Sequence, residues 1–483
     1  MHPAPALPDV VVIETPNLGD RSYVVHLDGL AVVVDPQRDL DRVEAVLAEH
    51  GLTVTHVVET HIHNDYVSGG LVLARQLGAV YVVPAGYALD YDATQLGDGE
   101  TFVSGRMAWR TVHTPGHTPQ HLSYVVAVDG KDAAAFTGGS LLFGSVGRPD
   151  LIGPDHTHDL AHAQWHSVRR LTTEVEPDAA VFPTHGFGSF CSASATVGLE
   201  STIGQQAVAN PACTVDEDEF VAELIAGLDA YPAYYAHMGP ANQAGPGPID
   251  LSLPERADAA ELRRRIDAGE WVVDLRSRRI FAEGHLRGTL SFDGDGNAVT
   301  YLGWVIPWGT PLTLLGDTPE RVTAMQRELV RIGIDRPAAF NDGAPVDWAL
   351  DPSDIASYRR ADFRELDAAL ADNPDLIVVD SRRRTEWQDG HVTGARHVPL
   401  HELVARADEI ATWARAAAHA GRDATVWVYC GSGFRASAAT SILERAGLTV
   451  VHVDADVSTA RVIRAWTPAA EVVHATLGAA YAD

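Results

Sequence analysis

Thr60-His61-Ile62-His63-Asn64-Asp65-Tyr66 follows an apolar run, Val54–Val58, and precedes the glycine pair Gly69-Gly70. On an extended backbone successive side chains alternate, so His61, His63 and Asp65 are expected to project the same way. That direction would bring two imidazoles and a carboxylate, all metal-ligating groups, towards one point. The stretch therefore predicts a metal loop between a strand and a helix. An isolated H-x-H is more often an ordinary surface or core pair, so the assignment requires further ligands elsewhere in the chain.

Two more histidines stand at strand ends. His113-Thr114-Pro115-Gly116-His117-Thr118 comes after the strand-like run Trp109–Val112, and its Pro-Gly turn presents His117 tightly. Phe182-Pro183-Thr184-His185-Gly186 places another histidine just past an apolar strand. His61, His63, Asp65, His117 and His185, in this order, resemble the ligand set of the metallo-β-lactamase family. The resemblance implies an αββα sandwich with the metal on loops at one edge. That family usually has a second histidine where Tyr66 stands, which implies one metal ion here rather than two.

The chain has 483 residues, so about three domains are expected. A formal charge of -29 argues against nucleic acid and against an anionic membrane surface as partners. No apolar run is long enough to span a bilayer, and Met1 to Val11 shows no secretory pattern. Three cysteines, Cys191, Cys213 and Cys430, make no disulfide framework, which suggests a reduced, cytoplasmic setting. Homo-oligomerisation stays open.

Residues 9–235 alternate strand-like and helix-like runs, among them helices at Asp39–Glu49 and Gly69–Leu77. The first domain is placed at 1–238. A Gly/Pro-rich stretch, Gly239-Pro240 through Gly247-Pro248, reads as a linker over 239–250. Beyond it the chain repeats itself. Val272-Val273-Asp274 recurs as Val378-Val379-Asp380, an offset of 106 residues, and Gly316–Gly333 aligns with Cys430–Gly447 at an offset of 114. Each repeat, 251–345 and 356–470, reads as a small parallel sheet flanked by helices. The fold class expected is thus multidomain α/β, a sandwich followed by two such repeats.

In the second repeat Cys430-Gly431-Ser432-Gly433-Phe434-Arg435 lies between a buried-strand run, Val426–Tyr429, and a helix-like stretch starting at Ala436. Backbone N–H groups of a loop entering a helix favour a thiolate, and Arg435 could hold an anion against it. This resembles the rhodanese family, with its C-x-x-G-x-R loop. The resemblance implies that Cys430 carries sulfane sulfur as a persulfide. Four residues separate Cys430 from Arg435, a smaller cradle than the five of cysteine phosphatases, which suits sulfur better than phosphate. The first repeat has Gly316 at the equivalent position and no cysteine, so it reads as a rhodanese-like structural or docking domain. Arg278, Arg279 and Arg321 read as solvated arginines.

The combination of the two families resembles the persulfide dioxygenase branch, which is related to glyoxalase II. Gly147-Arg148-Pro149-Asp150-Leu151 and Pro183-Thr184-His185-Gly186-Phe187 resemble segments of those enzymes. The resemblance implies one Fe(II) held by two histidines and a carboxylate, oxidising glutathione or another low-molecular-weight persulfide to sulfite. His61 and His117 match two of those ligands. The third position falls in Thr137-Gly138-Gly139-Ser140-Leu141-Leu142-Phe143, at Gly139, which cannot ligate, and His63 or Asp65 is left to stand in. Gly139→Asp is accordingly expected to restore the iron set. Arg148 and Tyr66 are expected to touch substrate. Two alternatives remain: a zinc site of His61, His63 and His117 hydrolysing a glutathione thioester, or a non-catalytic sulfur-carrying or docking module. The expected partners are a small persulfide or thioester and a sulfur-accepting thiol. His158, His162 and His166 share a helix face within Asp155–Leu171 but read as surface residues, and Cys191 and Cys213 as packing residues.

Overall fold

The computed structural model describes residues 7–469 apart from 197 and 295. Chain contacts divide it into two compact units, Met1–Asp250 with Glu328–Asp335, and Leu251–Arg327 with Arg336–Asp483. The end of the second repeat, placed at 470, lies outside the described residues.

The first unit is built on two sheets. Six strands follow chain order in one, Asp9–Thr15, Asp20–Leu27, Leu30–Val34, Thr53–Val58, Val80–Pro84 and Thr94–Leu96. The other orders Ala180–Pro183, Lys131–Gly138, Leu122–Val128, Met107–His113 and Thr101–Ser104. Alternation along the strands sends one set of side chains between the sheets, where Tyr23, Val25, Val32, Val58, Trp109, Tyr124 and Phe136 form a buried core. The outward set of the first sheet packs under helices Asp41–His50 and Gly70–Leu77 through Val33, Leu47, Val57 and Leu71. The outward set of the second packs under the helix Pro154–Glu174 through Val125, Ala161, Val168 and Leu171. Two apolar faces per sheet thus produce the αββα layering.

The segment expected to be a linker is partly a helix. Tyr235–Ala244 is helical despite Pro240 within it. Its Asn242 side chain is buried, donates to the carbonyls of His63 and Tyr66 at 2.9 Å each, and accepts from Ser68 N–H at 2.8 Å. Those contacts to the histidine loop hold it in place, which Gly/Pro content alone did not reveal.

In the second unit, parallel strands Leu290–Ser291, Trp271–Asp274, Leu312–Gly316 and Ala339–Asp342 form one sheet. Arg359–Ala361, Val450–Val453, Val426–Tyr429, Ile377–Asp380 and Arg396–His397 form the other. The repeat is visible atom by atom. Arg276 pairs with Asp274 at 2.6 Å and donates to Gly284 O at 2.9 Å, while Arg382 pairs with Asp380 at 2.6 Å and donates to Gly390 O at 2.8 Å.

Candidate metal centre and sulfur-carrier loop

The strand Thr53–Val58 stops before the histidines, and 59–66 forms a bent loop. The two-residue alternation therefore fails there: the His61 and His63 rings lie 4.2 Å apart, but their Nε2 atoms meet different partners. The structure instead brings His61, His117 and His185 together, each fully buried, with one ligand atom from each lying within 4.8 Å of the others.

The ring hydrogens show which atoms face that point. The Thr60 hydroxyl donates to Asp35 Oδ2 at 2.8 Å, so at 2.9 Å from His61 Nδ1 it accepts. His117 Nδ1 donates to the Arg148 carbonyl at 2.9 Å, and His185 Nδ1 to Asp20 Oδ1 at 2.9 Å. All three Nδ1 atoms then carry hydrogen, so each Nε2 is the atom that can ligate once its ring is neutral. His61 Nε2 and His185 Nε2 lie 3.3 Å apart, and His117 Nε2 has no protein partner. Bonds of about 2.0–2.1 Å to a tetrahedral ion place ligand nitrogens about 3.3 Å apart. Two ring nitrogens facing each other at this separation, beside a third with no protein partner, fit a metal ion.

Burial and the neighbouring histidines hold His61 well below the ordinary imidazole range, and burial and His185 take His117 down to about 3. Burial opposes a charge on His185, but Asp65 and Asp20 overcome it and raise the imidazole to about 10. Asp65 lies 3.2 Å from His185 Nδ1, and neither of its oxygens has a hydrogen-bond partner. Asp65, His63 and His185 form a second potential ligand group, which shares His185 with the first.

His63 turns the other way. Its Nε2 lies 3.0 Å from the Tyr66 hydroxyl and 3.2 Å from both Asp35 and Glu59. Burial opposes its charge, yet the two carboxylates raise it to about 9. Tyr66 also donates to Asp35 O at 3.2 Å and is fully buried, so its hydroxyl is engaged within the protein and not offered to substrate. The same holds for Arg148. Its side chain pairs with Asp150 at 2.7 Å and donates to the carbonyls of Phe190 and Asp229, with Tyr231 stacked on the guanidinium. Arg148 serves the site through its own carbonyl.

Gly139 offers no carboxylate, and the space its side chain would take is filled. A Cβ at Gly139 would overlap the His117 ring and lie 2.9 Å from Nε2, and one at Gly147 would lie 2.7 Å from Nδ1. The imidazole is sandwiched between two glycines. His121, which sequence reading missed, accepts from Gly139 N–H at 3.0 Å and bonds the Thr114 hydroxyl at 2.9 Å, fixing that turn. Asp20 was missed as well, since nothing local marks it as a partner 165 positions before His185. Cys191 does more than fill space, because Asp65 and Tyr235 lie against its thiol, and burial with the Asp65 charge pushes it well above the usual range. His162 and His166 grip Glu217 at 2.7 and 3.0 Å on the unit's surface.

In the second unit Cys430 is fully buried, and its sulfur accepts from Gly433 N–H at 3.2 Å. Gly433 has φ of 89°, a left-handed conformation that suits glycine and turns that N–H inwards. Arg435 is held by Glu386 through two bonds of 2.5 and 2.7 Å, so its charge is already neutralised beside the loop. Burial works against the Glu386 carboxylate, but Arg435 takes it down to about 2. Of the arginines of the first repeat, Arg278 and Arg321 are paired and largely covered, with Asp454 and Asp317, while Arg279 reaches Asp454 from a solvated position. Among the described residues no helix is long and apolar enough to cross a membrane.

Two family models match the chain. The metallo-beta-lactamase superfamily covers residues 18–185 and the rhodanese-like domain 362–458. Human mitochondrial persulfide dioxygenase ETHE1 is 28% identical over 238 residues, 49% of this chain and 80% of that protein. Its Bos taurus counterpart is 30% identical over 208 residues, 42% of this chain and 72% of that one. A hydroxyacylglutathione hydrolase of Pseudoalteromonas translucida is 30% identical over 206 residues, 38% and 75% respectively. The crystal structure of a metallo-beta-lactamase from Staphylococcus aureus superposes with a TM-score of 0.62 at 26% identity, covering 70% of this chain and all of that one. With the sandwich, the histidine loops and these matches in agreement, the chain belongs to the metallo-beta-lactamase superfamily and carries a rhodanese-like domain over 362–458.

Proposed function

We propose that this is a sulfur-metabolism enzyme whose first unit oxidises a low-molecular-weight persulfide to sulfite at one metal ion and whose second unit transfers sulfane sulfur through Cys430. Similarity to persulfide dioxygenase and the rhodanese-like domain both support sulfur metabolism. The observation that carries the metal half is the set of three buried, converging histidines with an unpartnered Nε2 on His117.

His61, His117 and His185 would hold the ion, with the Asp65 carboxylate against the His185 ring. When bound, Fe(II), the metal favoured by resemblance to the dioxygenases, would supply O₂ and thiolate chemistry. The reaction balances as RSSH + O₂ + H₂O → RSH + SO₃²⁻ + 2H⁺. Asp20, Thr60 and the Arg148 carbonyl orient the three rings, and the buried loops around them keep bulk water out. His63 is held in an internal ion cluster, so it leaves the site mononuclear. Glutathione persulfide is the substrate proposed, with a small sulfur acceptor at Cys430.

Three imidazole ligands also suit Zn(II). Together with the hydroxyacylglutathione hydrolase match, this favours thioester hydrolysis as the second reading. Metal analysis with two assays separates them. O₂ uptake and sulfite from glutathione persulfide by iron-loaded protein supports oxidation. Hydrolysis of a glutathione thioester by zinc-loaded protein, without O₂ uptake, overturns it. Neither activity leaves a sulfur-carrying module. For the second unit, Cys430→Ser should abolish sulfur transfer from thiosulfate to cyanide, since a hydroxyl cannot hold sulfane sulfur. Persistence of that transfer would remove Cys430 as the carrier.

A further inference from the structure

The cysteine-free repeat reaches the sulfur-carrier loop of its neighbour within the second unit. Arg278 pairs with Asp454 at 2.8 Å and donates to Ser432 O, inside the loop, at 3.4 Å. The helix Ala298–Val305 sets Tyr301 against Phe434 at 5.8 Å between rings, and the Arg435 guanidinium stands 5.8 Å over the same Tyr301 ring. Trp304 stacks on His401 at 5.0 Å and 16°.

Tyr301 and Trp304 face Ser381, Arg383, His401 and Arg435 across a cavity of about 10 Å³. That is about the room one water molecule needs. Cys430 itself has no exposed surface. Arg383 and Arg435 both bond Glu386. The cavity beside the carrier loop is therefore narrow, with aromatic rings on one side and the Arg383–Glu386–Arg435 group on the other.

We propose that Tyr301 and Trp304 are specificity-determining residues that limit the size of what reaches Cys430, so that sulfur exchange is confined to small anions and glutathione-sized thiols are shut out. The inference rests on Cys430 as sulfur carrier and narrows its acceptor. With thiosulfate as donor, the Cys430 thiolate attacks the outer sulfur. A Cys430 S–S bond forms, the donor's S–S bond breaks, and sulfite leaves with the electron pair. Cyanide then takes the outer sulfur as thiocyanate and returns the thiolate. No external oxidant is needed. Both reagents present a slender anionic end that one small opening accepts, whereas a tripeptide thiol brings a body that the Tyr301–Trp304 wall obstructs.

The test reads the opening in two ways on the full chain. In the first, alkylation of Cys430 by iodoacetamide and by fluorescein maleimide is followed peptide by peptide, each rate divided by its rate on the denatured chain. The parent should favour the small reagent at least tenfold. Trp304→Ala and Tyr301→Ala should erase most of that preference, and Trp304→Phe, which keeps an aromatic wall, should retain it. In the second, kcat/KM for transfer from thiosulfate is compared for cyanide and glutathione, and the glutathione-to-cyanide ratio should rise at least tenfold in the alanine variants. Equal normalised labelling of the parent by both reagents overturns the proposal, whatever the variants do. Folded variants with unchanged ratios overturn it too. Size-graded labelling in a parent that transfers no sulfur upholds the wall and removes the carrier reading.

Discussion

Gly139 and Gly147 leave the space in which His117 sits, and this changes what a carboxylate at 139 would do. Any Cβ at Gly139 overlaps the His117 ring, and core backbone cannot yield that far without cost. Gly139→Asp would therefore displace a ligand rather than add one. We expect both Gly139→Ala and Gly139→Asp to lower metal affinity by at least tenfold while the variants stay folded, measured by metal titration with circular dichroism as the control. A gain of iron in Gly139→Asp would show that His117 moves aside without loss. Asp20→Asn tests the orientation of His185: removing the acceptor charge on Nδ1 should cost about 10–100-fold in metal affinity.

Much of the centre was legible residue by residue. His61, His117 and His185 each follow a strand in the sequence, and a strand end is where this architecture exposes side chains to a common edge. The fate of His63 was not legible, because its partners Asp35, Glu59 and Tyr66 come from three different places on the fold. Nor was the role of Tyr301 and Trp304, which belong to a repeat that carries no nucleophile of its own.

At the scale of elements, strands and helices followed their periodic patterns closely, and the departures occur where tertiary contacts overrule local composition. The helix Tyr235–Ala244 is the clearest, since Pro240 and the flanking glycines speak for a linker. Its Asn242 holds two carbonyls and one N–H of the histidine loop. Asn242→Ala would leave three buried polar groups unpaired, each costing about 1–3 kcal/mol if no water replaces the amide. We expect a fall of several kcal/mol in the stability of the first unit, together with weaker metal binding, by denaturant unfolding and metal titration. In the second unit the strand Val450–Val453 carries His452 under the carrier loop, its Nε2 donating to Gly433 O at 2.8 Å. Burial takes this imidazole from the ordinary 6.5 down to about 4. Below pH 6.5 the unfolded chain takes up a proton that the folded one refuses until about pH 4. Stability on the order of 3 kcal/mol present above 6.5 is therefore lost progressively between those two values. His452→Gln, which keeps an N–H donor, should flatten the fall of Tm with pH across that window.

At the scale of the whole molecule, the two proposed sites share one chain and use no common side chain. The candidate metal centre draws on His61, His117 and His185, and the proposed carrier loop on Cys430, Gly433, Arg435 and Glu386. The activities should therefore separate. A chelator that strips the metal should abolish persulfide oxidation and spare thiosulfate-to-cyanide transfer, because the thiol loop contains no ligand for the ion. Cys430→Ser should do the reverse, since no residue of the loop belongs to the histidine cluster. Elemental analysis should give about one ion per chain. His63 Nε2 is engaged by Asp35 and Glu59, and Tyr66 offers no nitrogen, which disfavours a second ion. His61→Ala and His117→Ala should each remove most of that ion. Two tightly held ions per chain would mean that the Asp35–Glu59–His63 cluster, drawn together as an ion pair, binds a metal as well. Loss of sulfur transfer on chelation would mean that the second unit depends on the first for more than a covalent tether, and the separation argued from their side chains would fail.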